Sequence, residues 1–187
     1  PRIAPDGTRP SEVYASPLAR AGAARPGAQI AIVVARLGVS AKGTDEALAK
    51  LPAAVTLAFA PYGADLDRLA AQARAGGHEV LLQVPMEPFD YPDNDPGPQT
   101  LLTSLSPEQN VDRLHWFMSR FQGYVGIGNY MGACFAGNEA AVSAVMRELA
   151  KRGLLYFDDG TATRSLVSQV AAANAVPFAR ADIIVDT

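Results

Sequence analysis

The chain has 187 residues, of which 49% are hydrophobic and 19% are charged, and its formal net charge is −3. This length and balance fit one globular domain with a substantial core. The negative charge gives no electrostatic reason to expect binding to nucleic acid or to an anionic membrane surface. The single cysteine, Cys134, excludes an internal disulfide and a cysteine-based zinc site.

The beginning of the chain is unlike the rest. The opening sequence PRIAPDGTRP does not have the features of a signal peptide and is typical of the middle of a longer chain, which leaves room for a leader or anchor upstream. No apolar run approaches the roughly 20 residues that span a bilayer. Residues 1–28 are rich in Pro, Ala, Gly and Arg and have no sustained period. We predict a linker or surface wrap over residues 1–28, anchored by Val13 and Tyr14, and one domain over residues 29–187.

In chain order, apolar β-branched runs then alternate with helical patterns. The predicted strands are Ile30–Val34, Val55–Phe59, Val80–Val84, Tyr124–Ile127, Leu154–Phe157 and Ile183–Val185. The predicted helices are Thr44–Lys50, Asp65–Ala75, Pro107–Arg120, Asn138–Arg152 and Ser165–Asn174. Most strand starts lie about 25 to 30 residues apart, which is the spacing of strand–helix–strand units. The pattern therefore predicts an α/β fold with a mostly parallel sheet that is buried on both faces.

Several element ends are clearly marked. Ser106, Pro107 and Gln109 supply an N-cap, a first-turn proline and a capping box, and Gly153 supplies a left-handed C-cap. The one long gap between strands holds the segment MEPFDYPDNDPGPQT, whose prolines and Asp/Asn residues exclude a helix or a central strand. A long loop in a compact domain is usually functional.

Ligands of parallel α/β sheets bind beyond the carboxyl ends of the strands, so the residues that follow each predicted strand are candidate site residues. They combine amides, carboxylates, hydroxyls and aromatic rings, a mixture that suits a sugar-like ligand. The candidate ligand-binding residues are Arg36, Gln83, Asp90, Asn129, Tyr130 and Arg164, and the candidate catalytic residues are Glu87, Asp158 and Asp159. The alternative is that polar loops are ordinary and that Asp158 or Asp159 only caps a helix.

The positions of the two histidines disfavour both a cysteine nucleophile and a zinc hydrolase. A catalytic thiol needs a nearby base, yet His78 precedes the third strand and His115 lies within a helix, so neither should reach Cys134 on the carboxyl rim. A zinc hydrolase usually needs histidine ligands, and the same placement leaves only carboxylates. The Asp93–Asp95 cluster lacks the ligand count of a calcium loop and is better interpreted as turn residues.

Paired carboxylates remain as a candidate chemistry. Glu87 with Asp158 or Asp159 would supply the acid and base for cleavage of a glycosidic bond if their separation is suitable. The alternative is a structural ion pair between one of these carboxylates and Arg36 or Arg164.

Five stretches carry a resemblance to a known family: IAIVVARLGVS, GHEVLLQVPMEPFDYPDNDPGPQTLL, GNYMGACF, RGLLYFDDGTATRS and PFARADIIVD. With these stretches the chain resembles the divergent polysaccharide deacetylase family, a distant branch of the metal-dependent sugar deacetylases. The resemblance implies an irregular (β/α) barrel of mostly parallel strands, similar to NodB-homology domains, and a periplasmic or cell-envelope location. Family members usually continue through further strand–helix units, so we expect either a truncated chain or a barrel left open at its C-terminal end.

The resemblance also implies where metal ligands would lie. Metal-binding members are expected to carry two aspartates where this chain has Ala35 and Arg36, and histidines at the positions of Gln83 and Tyr130. All of these expected ligands are replaced, so a metal-dependent deacetylation mechanism would lack its machinery. The retained family positions are those of Glu87, Asn129 and Asp158, which the resemblance keeps as site candidates.

Arg36 would place a fixed positive charge where the resemblance locates the metal. We predict a hydrogen-bonded contact between its guanidinium and one of the carboxylates of Glu87, Asp158 or Asp159.

Three functional hypotheses follow. The first is a family member without a cofactor that binds a glycan or a cell-envelope protein. The second is an active carbohydrate esterase that removes acetyl groups from amino sugars with zinc or another divalent ion, bound mainly by carboxylates. The third is a glycoside hydrolase that uses Glu87 and an aspartate. None of them involves nucleic acid or a membrane span within this chain.

Overall fold

The computed structural model describes residues 1–17 and 30–185. Its helices are α1 (Pro10–Val13), α2 (Ala41–Lys50), α3 (Leu66–Ala75), α4 (Pro107–Met118), α5 (Glu139–Arg152) and α6 (Val167–Ala173). Its strands are β1 (Val33–Leu37), β2 (Thr56–Phe59), β3 (Val80–Met86), β4 (Gly126–Met131), β5 (Leu155–Asp158) and β6 (Phe178–Arg180). Part of the predicted N-terminal linker, residues 18–28, lies outside the described residues.

The described strands form one parallel sheet in the order β1-β2-β3-β4-β5-β6, so each strand lies beside the next one in the chain. Helices connect the strands, and the sheet curls into a half-barrel. A parallel pair needs a crossover connection, and the helices between consecutive strands provide it. The predicted α/β class and the incomplete (β/α) barrel are therefore confirmed.

The two faces of the sheet are packed differently. Side chains alternate between faces along a strand, so Leu57 and Phe59 of β2 join the large core beneath the helices, whereas Ala58 points to the opposite, concave face. On that concave face Ala58 meets Leu81 and Val125 in a small second cluster. The large core is built from apolar side chains of strands β1 to β5 and of all the helices from α2 to α6. β3 is buried along its whole length, as expected for the centre of a parallel sheet.

The predicted helix caps are present. The Ser106 side chain accepts a hydrogen bond from Gln109 N, and the Gln109 side chain accepts one from Ser106 N, which closes the capping box of α4. Gly153 ends α5 with φ 65°, in the left-handed region that glycine adopts without a steric penalty. These caps fix the residue at which α4 begins and the residue at which α5 ends.

The amino ends of the strands, here called the lower rim, are covered by the beginning of the chain. Tyr14 packs against the concave-face cluster, and the Arg74 guanidinium lies 4.9 Å from the centre of its ring. Arg74 also donates hydrogen bonds to the carbonyl oxygens of Tyr14 and Gly123. Tyr14 is therefore the anchor of this segment, while the other predicted anchor, Val13, is 50% exposed.

The two edge strands differ from the predicted ones. β1 begins at Val33, opposite Thr56, and Ile30 is 89% exposed. β6 covers Phe178–Arg180, and the predicted strand Ile183–Val185 is neither strand nor buried. Edge strands are held by one neighbour only, so the register with that neighbour decides their position and the apolar run does not.

Within the part of the chain that the structure covers, no helix has the length and apolar character needed to cross a membrane.

Candidate functional site

The carboxyl ends of the strands, here called the upper rim, bring most of the candidate residues together. At the end of β1 the pairing register with β2 shifts between Val34 and Leu37, and Arg36 within this bulge has φ 60°. A positive φ is costly for a residue with a side chain. The backbone N–H of Arg36 donates to Oε1 of the buried Gln83, at 2.6 Å, so a side chain of β3 holds this unusual conformation in place.

A cleft of about 170 Å³ opens on this part of the rim and is here called the first cleft. It lies above strands β1 to β4 and combines aromatic, apolar and polar walls. Its lining residues are Arg36, Val39, Ala60, Pro61, Tyr62, Gln83, Pro85, Pro96 and Tyr130. The sequence analysis predicted three of these as ligand-binding residues: Arg36, Gln83 and Tyr130.

Tyr62, which the sequence analysis did not select, forms one aromatic wall of the first cleft. Its hydroxyl donates to the Pro98 carbonyl at 2.5 Å, and its ring lies 6.2 Å from that of Phe117. Burial, and then the negative charge of Asp95, raise the pKa of Tyr62 to about 12, so its hydroxyl stays protonated at neutral pH. The signal for Tyr62 in the sequence is its position directly after β2, within Pro61-Tyr62-Gly63.

Asp158, Asp159 and Asn129 form a hydrogen-bonded group at the ends of β4 and β5. Asp158 is 2% exposed, and its two oxygens accept hydrogen bonds from Gly160 N and from the Ser165 hydroxyl. The Asn129 amide oxygen accepts from Asp159 N, and its NH₂ donates to the Met131 carbonyl. These contacts support the loop after β5, whereas neither aspartate caps a helix, since the next helix, α6, has Leu166 at its N-cap and no side-chain cap.

Glu87 performs a similar task at the end of β3. Its carboxylate accepts a hydrogen bond from Thr103 N, and its carbonyl accepts from the backbone N–H groups of Cys134 and Phe135. Burial, and then the negative charge of Glu87, raise the pKa of the Cys134 thiol. A thiol with a raised pKa is a poor nucleophile at neutral pH, in line with the expectation that Cys134 is not catalytic.

A second cleft, of about 480 Å³, is more open and lies beside Glu87. Its walls are Phe89, Thr103, Ala133, Cys134, Gly137, Asn138, Arg164 and Leu166. Arg164, a predicted ligand-binding residue, belongs to this second cleft. Asp90 lies on the exposed loop between the third strand and α4 and lines neither cleft. Sequence reasoning missed the second cleft, since its walls come from the loops after β3, β4 and β5, and strand spacing does not predict how such loops pack together.

The predicted ion pair of Arg36 is wrong. Among the ion pairs of residues 1–17 and 30–185, none joins Arg36 to Glu87, Asp158 or Asp159. The guanidinium instead lies 5.8 Å from the ring centre of Tyr130, in a cation–π contact. The physical reason is the bulge, because its shifted register and positive φ change the direction in which the Arg36 side chain leaves the strand.

Both histidines lie away from the two clefts, as predicted. His78 is 3% exposed, and its Nδ1 lies 2.8 Å from the Val55 carbonyl oxygen below the sheet. His115 on α4 contacts Glu148 of α5 through Nε2, at 2.7 Å. Neither residue lines a cleft, so neither is placed to act as a base there.

The residues at the expected metal position do not fit a divalent cation. Ala35 has no donor atom, Arg36 is positively charged, and Oε1 of Gln83 already accepts a hydrogen bond, which leaves only the phenol of Tyr130. In the described ranges, no three His, Cys, Asp or Glu side chains are grouped closely enough to hold a metal ion. No catalytic step through a metal is therefore derived from these residues.

Known proteins provide the context for this rim. The uncharacterized protein YibQ of Escherichia coli is 25% identical over 158 residues, covering 84% of this chain and 49% of that protein. An uncharacterized protein of Haemophilus influenzae is 23% identical over 143 residues, covering 76% of this chain and 50% of that protein. The chain thus spans about half the length of these curated relatives.

A solved structure and a family profile extend the comparison. The crystal structure of an uncharacterized protein from Agrobacterium tumefaciens matches with a TM-score of 0.91 and 43% identity, covering 100% of this chain and 74% of that one. The sequence profile described as divergent polysaccharide deacetylase matches residues 32–187, which include every strand and both clefts. The chain therefore belongs to the divergent polysaccharide deacetylase family.

Proposed function

We propose that this domain binds a glycan of the cell envelope in the first cleft, and that it does so without a metal ion held by its side chains. The observation that carries the proposal is the composition of the cleft: Tyr62 and Tyr130 offer aromatic faces, and Arg36 and Gln83, at the expected metal position, line the same cleft. The family supplies the polysaccharide class. The cell-envelope location and the glycan are our inferences from that family membership.

The chemistry of the walls suits a sugar ring. Sugars present C–H faces that pack on aromatic rings and hydroxyls that need hydrogen-bond partners. Tyr62 is held rigidly, because its hydroxyl is bonded to Pro98 and its ring lies against Gly97. Rigid walls reduce the entropy lost on binding, which favours recognition of a weakly binding ligand.

Binding without hydrolysis is favoured by the state of the carboxylates. Asp158 is 2% exposed, both of its oxygens accept hydrogen bonds from the loop after β5, and it lines neither cleft. Glu87 is hydrogen-bonded to Thr103, a residue of the second cleft, and does not line the first cleft. The esterase and glycosidase hypotheses therefore gain no accessible acid–base pair in the first cleft.

The proposal is tested by calorimetric titration of the domain with the N-acetylglucosamine tetramer. Tyr130→Ala should weaken binding about tenfold, because removing about 50 Å² of apolar contact costs about 1.3 kcal/mol. Phe89→Ala is the matched control, since Phe89 is an exposed aromatic residue on the same rim but lines the second cleft. Loss of binding with Phe89→Ala and retention with Tyr130→Ala would contradict the placement in the first cleft.

A metal assay separates binding from catalysis. We expect the dialysed domain to bind the tetramer equally well before and after treatment with EDTA, and to release no acetate from it. Stoichiometric zinc that survives dialysis, together with acetate release that EDTA abolishes, would overturn the metal-free proposal and favour the esterase.

A further inference from the structure

We infer that the first cleft selects a sugar that carries a carboxylate, and that Arg36 is the residue that recognises the carboxylate. This inference rests on the proposed function and adds the ligand class to it. The inference starts from the observation that the Arg36 guanidinium lines the first cleft and forms no ion pair with a carboxylate of the described residues. In residues 1–17 and 30–185, no carboxylate lies within ion-pair distance of the Arg36 guanidinium.

The surroundings of the guanidinium leave its donors available. In the described chain the Arg36 guanidinium makes a cation–π contact with Tyr130, at 5.8 Å from the centre of the ring. Among the described residues the guanidinium takes part in no hydrogen bond or ion pair, so the planar fork of its N–H donors stays available for an acceptor. A planar fork of this kind matches the two oxygens of a carboxylate.

The backbone of Arg36 indicates that its position is held by specific contacts. Its φ of 60° is costly for an arginine, and the hydrogen bond from its N–H to Oε1 of Gln83 fixes that conformation. Gln83 is itself 6% exposed, so the acceptor is held from within the sheet. A strained residue that is fixed by a buried partner at a cleft is better explained by ligand recognition than by packing.

The charge balance of the cleft favours a single negative charge. Arg36 is the only cationic side chain among the residues that line the first cleft, and no acidic side chain lines it. A dianionic phosphate usually recruits several cations or a row of backbone N–H groups. The charge of Asp95 acts on Tyr62, whose pKa it helps burial to raise, so the carboxylate of the ligand is expected at the Arg36 end of the cleft.

The experiment compares two tetrasaccharides of matched size by calorimetry. One is the neutral N-acetylglucosamine tetramer, and the other is a hyaluronan tetrasaccharide, which alternates N-acetylglucosamine with glucuronate. The wild-type domain should prefer the acidic tetrasaccharide by about tenfold or more, and the preference should shrink as the salt concentration rises. Arg36→Asn should remove the preference, so that the variant binds the acidic and the neutral tetrasaccharide with affinities within about twofold of each other.

Two variants control for unrelated effects. Asparagine is chosen because it adopts positive φ more readily than most residues, so Arg36→Asn should keep the fold. Arg164→Asn removes an exposed arginine from the second cleft and should leave the preference unchanged. Equal affinity of the wild type for both tetrasaccharides, or an equal loss of both with Arg36→Asn, would overturn the carboxylate assignment while the glycan proposal stands.

A second measurement keeps the assignment testable if neither tetrasaccharide binds, which would refute the glycan proposal itself. Glucuronate, glucose and glucose 6-phosphate are titrated separately while the NMR signals of the Arg36 Nε–H and the Tyr130 ring are followed. Saturable shifts with glucuronate alone support a carboxylate site. Larger shifts with glucose 6-phosphate, or none with glucuronate, would show that Arg36 is not a carboxylate receptor.

Discussion

The lower and upper rims belong to the same parallel sheet but are built on different principles. At the lower rim polar side chains bind the backbone: Arg74 donates to two carbonyl oxygens and lies against the ring of Tyr14, and the Ser16 hydroxyl donates to the Gly77 carbonyl. At the upper rim Arg36 has a strained backbone and no anionic partner in the described chain.

This difference separates stability from recognition. Contacts that satisfy each other stabilise the folded chain, whereas a strained residue with free donors contributes to stability only weakly and can bind a ligand. Enzymes and binding proteins with parallel β/α sheets place their sites at the carboxyl ends of the strands. Substitution of Arg74 at the lower rim should therefore change unfolding more than binding, and substitution of Arg36 in the first cleft the reverse.

The largest expected effect on the free energy of unfolding comes from the packing of the concave face, which is tighter at the lower end of β4 than in its middle. A Cβ added at Gly126, the lower end of β4, would collide with the carbonyl oxygen and side chain of Leu155, whereas one at Gly128 would meet Phe157 Cδ1 at 3.3 Å. Gly126→Ala should lower the free energy of unfolding by about 3 kcal/mol, and Gly128→Ala by about 1 kcal/mol or less. Urea denaturation measures both, and equal losses would contradict the tighter packing at the lower end of β4.

The sequence predicted the inner part of the fold well. Strands β2 to β5 and helices α3 to α5 lie within a few residues of their predicted positions, because apolar runs that are buried on both faces and strong caps such as Ser106 leave few alternatives. The edges were less predictable. β6 forms at Phe178–Arg180 rather than at the more β-branched Ile183–Val185, since pairing with β5 decides an edge strand and local propensity does not.

The lining of the first cleft was predictable in part, but its geometry was not. Position at or near a strand end selected Arg36, Gln83 and Tyr130, three of the six predicted ligand-binding residues, which line this cleft. The predicted contact between Arg36 and a carboxylate is absent, because β1 carries a bulge at this residue that no sequence pattern reveals. Phe89, within the long loop, was missed because the conformation of such a loop cannot be derived from strand spacing.

The second prediction concerns an ion cluster near the lower rim, at the contact of α4 and α5. Burial alone would raise the pKa of Glu148, but hydrogen bonds and charge from His115 and Arg152 outweigh it and hold the pKa below its ordinary value of 4.5. Lys151 adds a longer contact of 3.7 Å. Arg152 also donates to the Pro1 carbonyl, so the cluster ties the start of the chain to α5.

A carboxylate with a lowered pKa stabilises the fold above its unfolded pKa, and this contribution is lost as the pH falls through the folded pKa. Glu148→Gln should therefore lower the free energy of unfolding by about 1.5 kcal/mol at pH 7. The gap between wild type and variant should close progressively below pH 4.5. Denaturation from pH 7 to pH 3 tests this. A gap that stays constant would mean that the Glu148 charge is not the stabilising feature.

The smallest expected effect is the difference in stability between a glycine and an alanine variant, which should have opposite signs at Arg36 and at Arg74. Arg36→Gly and Arg36→Ala lose the same side-chain contacts, so their difference isolates the backbone. With φ 60° at this position, the glycine variant should be more stable than the alanine variant by about 1 kcal/mol.

Arg74 lies in the last turn of α3, where glycine disfavours the helix, so Arg74→Gly should be less stable than Arg74→Ala by about 0.5 to 1 kcal/mol. Thermal denaturation of the four variants decides the matter. If alanine is the more stable replacement at both positions, Arg36 is not strained, and the backbone ceases to support a recognition role for its guanidinium.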